Sequence, residues 1–265
     1  MSGKAIGILM SQTGSLHLIP NTLDFGAPGE PAALGELLPL SAIRTAAGLA
    51  YWVCENAKTT RAFLKRVDAV CPLAQLVQDL SIIELARPNK GREAAPDAAA
   101  MDDLLAPARA GHDLGLLSEA GLPALADPGA ALVAAAHAAG IRVVAHPGAS
   151  SIALALAASG LNGQSFAFVG YIPVPAEGRA ARIRALEATS RREGQTQLLI
   201  ETPYRNAALL EALLAHLQPA TALSVSVGLT LRGGFTRSDS VAKWRQSATP
   251  LPADVPAVFA LLAFR

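Results

Sequence analysis

Short runs of apolar, β-favouring residues alternate with longer stretches of helical periodicity along most of the chain. Strands are predicted where a run is bounded by turn signals, at Leu16–Ile19, Tyr51–Cys54, Ser81–Leu85, Leu114–Leu117, Ile141–Ala145, Ser165–Val169, Gln197–Glu201, Ala222–Val227 and Ala257–Phe264. The clearest helices are predicted between them, at Pro128–Ala139, Ser150–Ser159, Arg179–Arg192 and Ala207–His216. This alternation predicts an α/β fold made of βαβ units, with a largely parallel sheet in at least the first half.

The segment from Leu116 to Ser151 has the most informative pattern. Its first strand stops at Ser118, and Gly121 and Pro123 then force a tight turn. A second strand ends just before another turn at Pro147. Parallel strands with short turns at their carboxyl ends form a crevice where open α/β sheets bind ligands, so a binding site is expected at this edge.

Local capping signals mark the helix between these two strands. Asp127 is predicted to be its N-cap, with Pro128 at the first helical position and Gly140 just past its end. This capping role accounts for Asp127 without any contact to a ligand. Two polar stretches that contain proline and glycine, Gly26–Pro31 and Arg87–Pro96, are predicted to be loops.

Composition narrows the class of protein. The 265 residues are 51% hydrophobic and 16% charged, which predicts an ordered chain with a substantial core. The net charge of +1 lacks the basic surplus of a typical nucleic-acid binder, so an RNA substrate would need a local basic patch. The helix that carries Arg179 and Arg182 on one face is a candidate for such a patch.

The residues that could form a metal site or a membrane anchor are sparse. Cys54 and Cys71 make no disulfide framework, and the five histidines lack the spacing of metal ligands, so no metal is expected. No apolar run approaches the roughly 20 residues of a membrane helix, and Met1–Met10 is a poor signal peptide. These features predict a cytoplasmic protein without membrane contact.

Five blocks occur in the same order as in a known family. They are Gly14-Ser15-Leu16-His17-Leu18-Ile19-Pro20, Ser118-Glu119-Ala120-Gly121-Leu122-Pro123 with Ala126-Asp127-Pro128-Gly129, His146-Pro147-Gly148-Ala149-Ser150-Ser151, Phe166–Pro173, and Ile200–Arg205. Through them the chain resembles the tetrapyrrole methylase superfamily, whose members use S-adenosylmethionine. The nearest pattern is that of the branch that 2'-O-methylates a ribose in 16S ribosomal RNA.

The resemblance implies two α/β domains, residues 1–146 and 147–265, with a mixed sheet in the second and S-adenosylmethionine in the cleft between them. It also implies a homodimer and a partner in ribosomal RNA or the small ribosomal subunit. The residues it assigns to the cofactor pocket are Pro20, Ser118, Glu119, Ala120, Gly121, Pro123, Ser150, Ser151, Val169, Gly170, Thr202, Tyr204, Leu229 and Thr230. Taken alone, the glycines and prolines among them are also explained as ordinary turn residues.

Several positions depart from the family pattern. Glu119 replaces an aspartate, and the Glu-Asp-Thr-Arg block becomes Glu55-Asn56-Ala57-Lys58. A later Glu-Leu-Thr-Lys block becomes Gly228-Leu229-Thr230-Leu231 and loses both charges.

Deprotonation of a ribose hydroxyl needs a positioned base or a charge that stabilises the alkoxide. Glu55, Lys58 and Glu201 are the candidates for this catalytic role, and each is equally well explained as a surface charge or helix cap. Two alternatives to an RNA enzyme therefore stay open. One is a methyltransferase of the same fold that acts on a small molecule or tetrapyrrole, and the other is a non-catalytic paralogue that binds the cofactor.

Overall fold

The computed structural model describes residues 13–24, 32–86, 98–247 and 249–264. The predicted loops Gly26–Pro31 and Arg87–Pro96, and the Met1–Met10 stretch, lie outside these residues. Contacts divide the chain into two compact units, one of which contains Leu34–Gly148 and the strand before it, the other Ala149 and the residues after it. The predicted domain boundary at residues 146 and 147 stays a prediction.

A five-stranded parallel sheet forms the centre of the first unit. Its strands are β1 (Ser15–Leu18), β2 (Tyr51–Cys54), β3 (Ser81–Glu84), β4 (Leu114–Leu117) and β5 (Arg142–Ala145). Their order in the sheet is β3-β2-β4-β1-β5, and each neighbouring pair is parallel. The predicted parallel sheet is confirmed, and its five strands begin and end within one residue of the predicted positions.

Apolar strand residues point to both faces of this sheet, so helices cover both faces. The helices are α1 (Leu34–Leu37), α2 (Leu40–Gly48), α3 (Ala57–Asp68), α4 (Ala98–Leu104), α5 (Ala106–Arg109) and α6 (Ala130–Ala138). Trp52 and Leu117 pack with α2 and α3 on one face, whereas Leu16, Val53 and Leu116 pack with α5 and α6 on the other. This packing on both faces fixes the positions of the strand ends relative to one another.

The N-terminal end of α6 differs from the prediction. The helix begins at Ala130 rather than Pro128, and its N-cap is Gly129, which has a φ of +125° and no side chain to accept a hydrogen bond. Asp127 is therefore not the N-cap, and that prediction is wrong. The Asp-Pro-Gly sequence forms a turn before the helix, in which the Pro128 carbonyl accepts a hydrogen bond from the Ala124 N–H at 3.3 Å.

The second unit contains a mixed five-stranded sheet. Its strands are β6 (Phe166–Phe168), β7 (Thr196–Ile200), β8 (Ala222–Val227), β9 (Phe235–Ser240) and β10 (Ala257–Leu262), in the order β6-β7-β10-β8-β9. Only β6 and β7 form a parallel pair, and the other three pairs are antiparallel. The mixed sheet is confirmed, although β9 was not among the predicted strands.

The helices of the second unit are α7 (Ser151–Ser159), α8 (Ala176–Glu193), α9 (Asn206–His216) and α10 (Val241–Gln246). Ser150 caps α7 by accepting a hydrogen bond from the Ala153 N–H, and Gly160 ends it in the left-handed conformation, as the sequence predicted. Phe259 and Trp244 are buried in the core, where the Trp244 indole donates a hydrogen bond to the Leu223 carbonyl at 2.8 Å. Among the described residues, no helix combines the length and apolarity that crossing a bilayer requires.

Gly115 is predicted to be indispensable to the packing of the first sheet. A Cβ at this position would lie 2.6 Å from Cε3 of Trp52, a fully buried side chain whose indole N–H is bonded to the Leu49 carbonyl. Gly115→Ala is therefore expected to lower the free energy of unfolding by about 1–3 kcal/mol through overpacking. The measurement is denaturant unfolding, with Gly48→Ala as control because a Cβ there would meet nothing within 4 Å. Equal stability of the two variants would contradict the steric argument.

Candidate functional site

The carboxyl ends of the parallel strands collect the predicted site residues of the first unit. Pro20 lies two residues after β1, Glu55 follows β2 directly, Ser118 begins the turn after β4, and Pro147 lies two residues after β5. Because all five strands run in the same direction, these positions share one edge of the sheet. The structure thus places the predicted residues of the first unit at one edge.

Asn21 holds the turn Ser118–Pro123 in place. Its side-chain amide donates to the carbonyls of Ser118 and Glu119, each at 3.0 Å, and its backbone N–H donates to the Gly121 carbonyl at 2.8 Å. Asn21 is buried, so these bonds are shielded from water. No pattern in the sequence indicates this role, since Asn21 is 97 residues from Ser118.

Glu55 holds the same turn from the other side. Its Oε2 atom accepts a hydrogen bond from the Glu119 N–H at 3.2 Å, and its own N–H donates to the Leu117 carbonyl. Thr59 on α3 reaches Oε1 of Glu119 at 3.5 Å. Glu55 and Glu119, which were predicted as a catalytic and a cofactor-binding residue, are therefore neighbours in one network.

Two glycines allow the turns at this edge to take their shape. Gly121 has a φ of +69°, a conformation that costs any other residue energy. Gly148 has no such φ, but a Cβ on it would lie 2.1 Å from Cβ of Pro20. The turn after β5 therefore packs directly against the proline that follows β1.

Asp127 points its carboxyl group at this network. Burial, together with the negative charges of Glu55 and Glu119, raises its pKa to about 6, against a hydrogen bond from Ser118 that lowers it. A carboxyl group that caps a helix would show the opposite shift. Asp127 is thus part of the site edge, although the sequence analysis assigned it only a structural role.

An apolar pocket of about 350 Å³ opens beside the turn. It is lined by Leu18, Leu122, Pro123, Ala124, Leu125, Ala130, Val133, Ala145 and His146. Ala124 and Ala126, on the segment that borders it, have φ angles of +64° and +65°. Left-handed alanines are strained, and such strain is found most often at ligand clamps and active sites.

The second unit also collects its predicted residues at one edge. Since β7 and β8 are both antiparallel to β10, they run in the same direction, and β6 is parallel to β7. The pairs Val169–Gly170, Thr202–Tyr204 and Leu229–Thr230 follow β6, β7 and β8 in turn. Ser150 and Ser151 cap and begin α7 in the same unit.

The other predicted catalytic residues have visible structural roles. Glu201 is buried, and its Oε1 accepts hydrogen bonds from the Arg205 guanidinium at 2.7 Å and the Thr202 N–H at 2.8 Å. Lys58 lies exposed in the first turn of α3, where its N–H donates to the capping side chain of Asn56. Arg179, in the candidate basic patch, donates to the carbonyls of Pro173 and Val174.

Sequence comparison places this chain among methyltransferases. Residues 35–234 match the family of tetrapyrrole (corrin/porphyrin) methylases. The chain is 42% identical over 103 residues to the ribosomal RNA small subunit methyltransferase I of Pseudomonas aeruginosa, which is 39% of this chain and 34% of that protein. It is 32% identical over 203 residues to the protein of the same name from Streptococcus pyogenes serotype M3, 77% of this chain and 61% of the relative. The chain thus spans from a third to three fifths of the length of these relatives.

Solved structures with the same fold are also methyltransferases. The uroporphyrin-III-C-methyltransferase from Thermus thermophilus matches with a TM-score of 0.51 at 23% identity, covering 94% of this chain and 92% of that one. The methyltransferase CobJ matches with a TM-score of 0.53 at 16% identity, covering 95% of each chain. At these identities the likeness establishes the shared fold.

Asp127 is predicted to destabilise the protein at neutral pH. Its pKa is about 6 when folded and near 3.8 when unfolded, so the penalty is full above pH 6 and disappears below about pH 3.8. Asp127→Asn is expected to raise the free energy of unfolding at pH 7.5 by about 1 kcal/mol, after discounting for the water that still screens the carboxyl group. Denaturant unfolding at pH 7.5 and pH 4 tests this. A gain of the same size at both values would contradict the pKa assignment.

Proposed function

The chain belongs to the tetrapyrrole (corrin/porphyrin) methylase family, and we propose that it transfers a methyl group from S-adenosylmethionine to a ribose 2'-hydroxyl of 16S ribosomal RNA. The observation that carries this proposal is the turn Ser118–Pro123, which Asn21 and Glu55 hold at the carboxyl edge of the parallel sheet. Such edges are where α/β sheets bind their ligands.

The residues at this edge suit S-adenosylmethionine. Its methionine part has a net positive charge, from a sulfonium and an ammonium against one carboxylate, on a short aliphatic chain. The edge offers the carboxyl groups of Glu55, Glu119 and Asp127 beside an apolar pocket. We therefore assign Pro20 and residues 118–123 to cofactor binding.

When bound, S-adenosylmethionine supplies an electrophilic methyl group on a positively charged sulfur. The protein then has to bind and orient two partners and to exclude water, because the cation is already reactive. Asn21 and Glu55 would keep the turn in one geometry for this purpose. We also assign Ser150, Ser151, Val169, Gly170, Thr202, Tyr204, Leu229 and Thr230 of the second unit to the cofactor pocket.

The RNA acceptor is supported by the relatives, whose names specify small-subunit ribosomal RNA. An exposed arginine-rich helix, α8, could meet phosphates of such a substrate, since Arg182 and Arg184 are exposed on it. The family resemblance supports a homodimer in which each chain has residues 1–146 and 147–265 as its domains, and the free cysteines Cys54 and Cys71 support a cytoplasmic location. Light scattering of the purified chain would test the dimer.

A smaller acceptor is the second candidate. The net charge of +1 and the loss of two charged residues at Gly228 and Leu231 favour it, because both reduce attraction for a polyanion. A small molecule or tetrapyrrole would then be methylated with the same cofactor. Methylation of tetrapyrroles but not of ribosomal subunits would select this candidate.

Gly121→Val is predicted to abolish cofactor binding while the fold persists. A β-branched residue at a φ of +69° would distort the turn that Asn21 and Glu55 hold. The affinity for S-adenosylmethionine is expected to fall more than about tenfold, equivalent to about 1.4 kcal/mol. Calorimetric titration measures it directly.

Gly140→Val is the matched control for this substitution. Gly140 has the same φ of +69° and lies just after α6, where a Cβ would meet nothing within 4 Å. Both variants therefore carry a similar backbone cost, and only Gly121→Val should lose binding. Equal affinities in the two variants would refute the assignment of the turn to the cofactor.

The acceptor is tested with undermethylated small ribosomal subunits and tritium-labelled S-adenosylmethionine. Label in one ribose of the RNA would support the proposal. One-site binding of S-adenosylmethionine without transfer to any acceptor would favour the non-catalytic paralogue. No binding at millimolar concentration would contradict both readings.

A further inference from the structure

Two histidines form a pair at the carboxyl edge of the first sheet. His17 on β1 and His146, which follows β5, are 129 residues apart in sequence, yet Nδ1 of His17 lies 2.9 Å from Nε2 of His146. His146 is also the one polar residue among the described residues that line the apolar pocket beside the turn. It stands directly before Pro147 and Gly148, whose turn packs against Pro20.

A carboxylate stands behind this pair. Oδ1 of Asp113 lies 3.6 Å from Nε2 of His17, too far for a hydrogen bond but close enough for electrostatic attraction. The Ser15 N–H holds this carboxylate by donating to Oδ1 at 2.8 Å. Asp113, His17 and His146 thus form a chain that runs from the start of β4 to the pocket.

The Asp113 carboxylate favours one arrangement of protons on the two rings. The nitrogen of His17 that faces the carboxylate is Nε2, so we assign the proton of the neutral ring to Nε2 and the acceptor to Nδ1. Nε2 of His146 is then the donor between the two rings. This leaves a lone pair on Nδ1 of His146, for which the described residues show no hydrogen-bond donor.

His146 is neutral at physiological pH. Burial lowers its pKa, and the positive charge that His17 can carry lowers it further. The titratable groups behind His146 are His17 from β1 and, beyond it, Asp113 from the segment before β4. A neutral imidazole can accept a proton at its unprotonated nitrogen.

The residues that the sequence offered as bases are engaged elsewhere. Oε2 of Glu55 accepts the Glu119 N–H, and Oε1 of Glu201 accepts the guanidinium of Arg205. Lys58 lies exposed at the start of α3. The base that the reaction requires is therefore better sought among groups with a free acceptor atom.

We propose that His146 is the general base of the methyl transfer, with His17 and Asp113 as the residues that position it. This role rests on the proposed transfer to a ribose hydroxyl. The hydroxyl proton passes to Nδ1 of His146 while the oxygen forms a bond to the methyl carbon. The carbon–sulfur bond breaks, and its electron pair stays on sulfur to give neutral S-adenosylhomocysteine. Asp113 offsets the positive charge that the histidine pair then carries.

His146→Gln tests the proposal in single-turnover assays with labelled S-adenosylmethionine and undermethylated small ribosomal subunits. Loss of a general base is expected to slow the transfer about a hundredfold to ten-thousandfold. The affinity for S-adenosylmethionine, measured by calorimetry, is expected to stay within about twofold. His137→Gln is the control, since His137 is exposed at the end of α6. A rate for His146→Gln equal to that of the control would overturn the proposal.

The pH profile separates a base from a structural residue. The rate of the unmutated chain is expected to rise with pH and level off at the lowered pKa of His146, and His146→Gln should lack this inflection. His17→Gln keeps a hydrogen-bond acceptor beside His146 but removes a charge, so the inflection should move to higher pH. An inflection that persists in His146→Gln would overturn the role.

Failure of the proposed function gives a different result. If the unmutated chain binds S-adenosylmethionine but labels no RNA, the proposed RNA acceptor is wrong. The histidine pair is then tested by a measurement that needs no methyl transfer. Nitrogen-15 spectra of the histidines at pH 7.5 are then expected to show His146 neutral and protonated at Nε2. A proton on Nδ1, or a charged ring, would overturn the relay. This measurement needs no substitution, so a variant that failed to fold would not affect it.

Discussion

Hydrogen bonds that join the side chains of Asn21 and Glu55, and the Asn21 N–H, to the backbone of residues 118–121 are the constraint on which the site edge depends. A turn at the carboxyl end of a parallel strand has polar groups that the sheet cannot satisfy, and each one left unbonded in a buried place costs about 1–3 kcal/mol. Here the donor amide of Asn21 comes from the segment after β1 and the acceptor carboxylate of Glu55 from the segment after β2, and these two strands flank β4 in the sheet. The neighbours of β4 thus decide the shape of the surface that a ligand would meet.

The same network explains why carboxyl groups crowd together at this edge. Glu55 is fixed by its bond to the Glu119 N–H, and the Glu119 side chain meets Thr59. Asp127 comes close to both, and burial together with their negative charges raises its pKa. A concentration of negative charge that lowers stability is a common property of sites selected for binding rather than for folding. Its sign agrees with a cationic ligand.

Much of the fold could be predicted because its signals are local. The strands Tyr51–Cys54, Leu114–Leu117 and Ala222–Val227 are apolar runs between turn residues, and the structure has them as predicted. β9 was missed because its residues are polar. It is an edge strand, and its backbone pairing with β8 stabilises it in place of apolar burial. The hydrogen bond between the Ser226 and Thr236 hydroxyls adds to this pairing. Asp127 was misassigned because a capping signal looks the same whether or not distant carboxyl groups attract the side chain elsewhere.

The site was predictable in outline and not in detail. Blocks of matching sequence located the turn after β4, but the partners of that turn depend on contacts across about 60 to 100 residues. The contacts of Asn21, and the contact between His17 and His146, are of this long-range kind. Periodicity and spacing in the sequence carry no information on such contacts. They become visible only once β1 lies between β4 and β5.

The contact between Gly148 and Pro20 also bears on how this protein can evolve. A side chain at position 148 would occupy the space of the Pro20 ring, so neither residue is free to vary alone. Homologues should therefore keep both residues or replace both, with a smaller or displaced residue at position 20 whenever position 148 gains a Cβ. Paired substitution at positions 20 and 148, which are 128 residues apart, would be the evolutionary trace of this steric conflict.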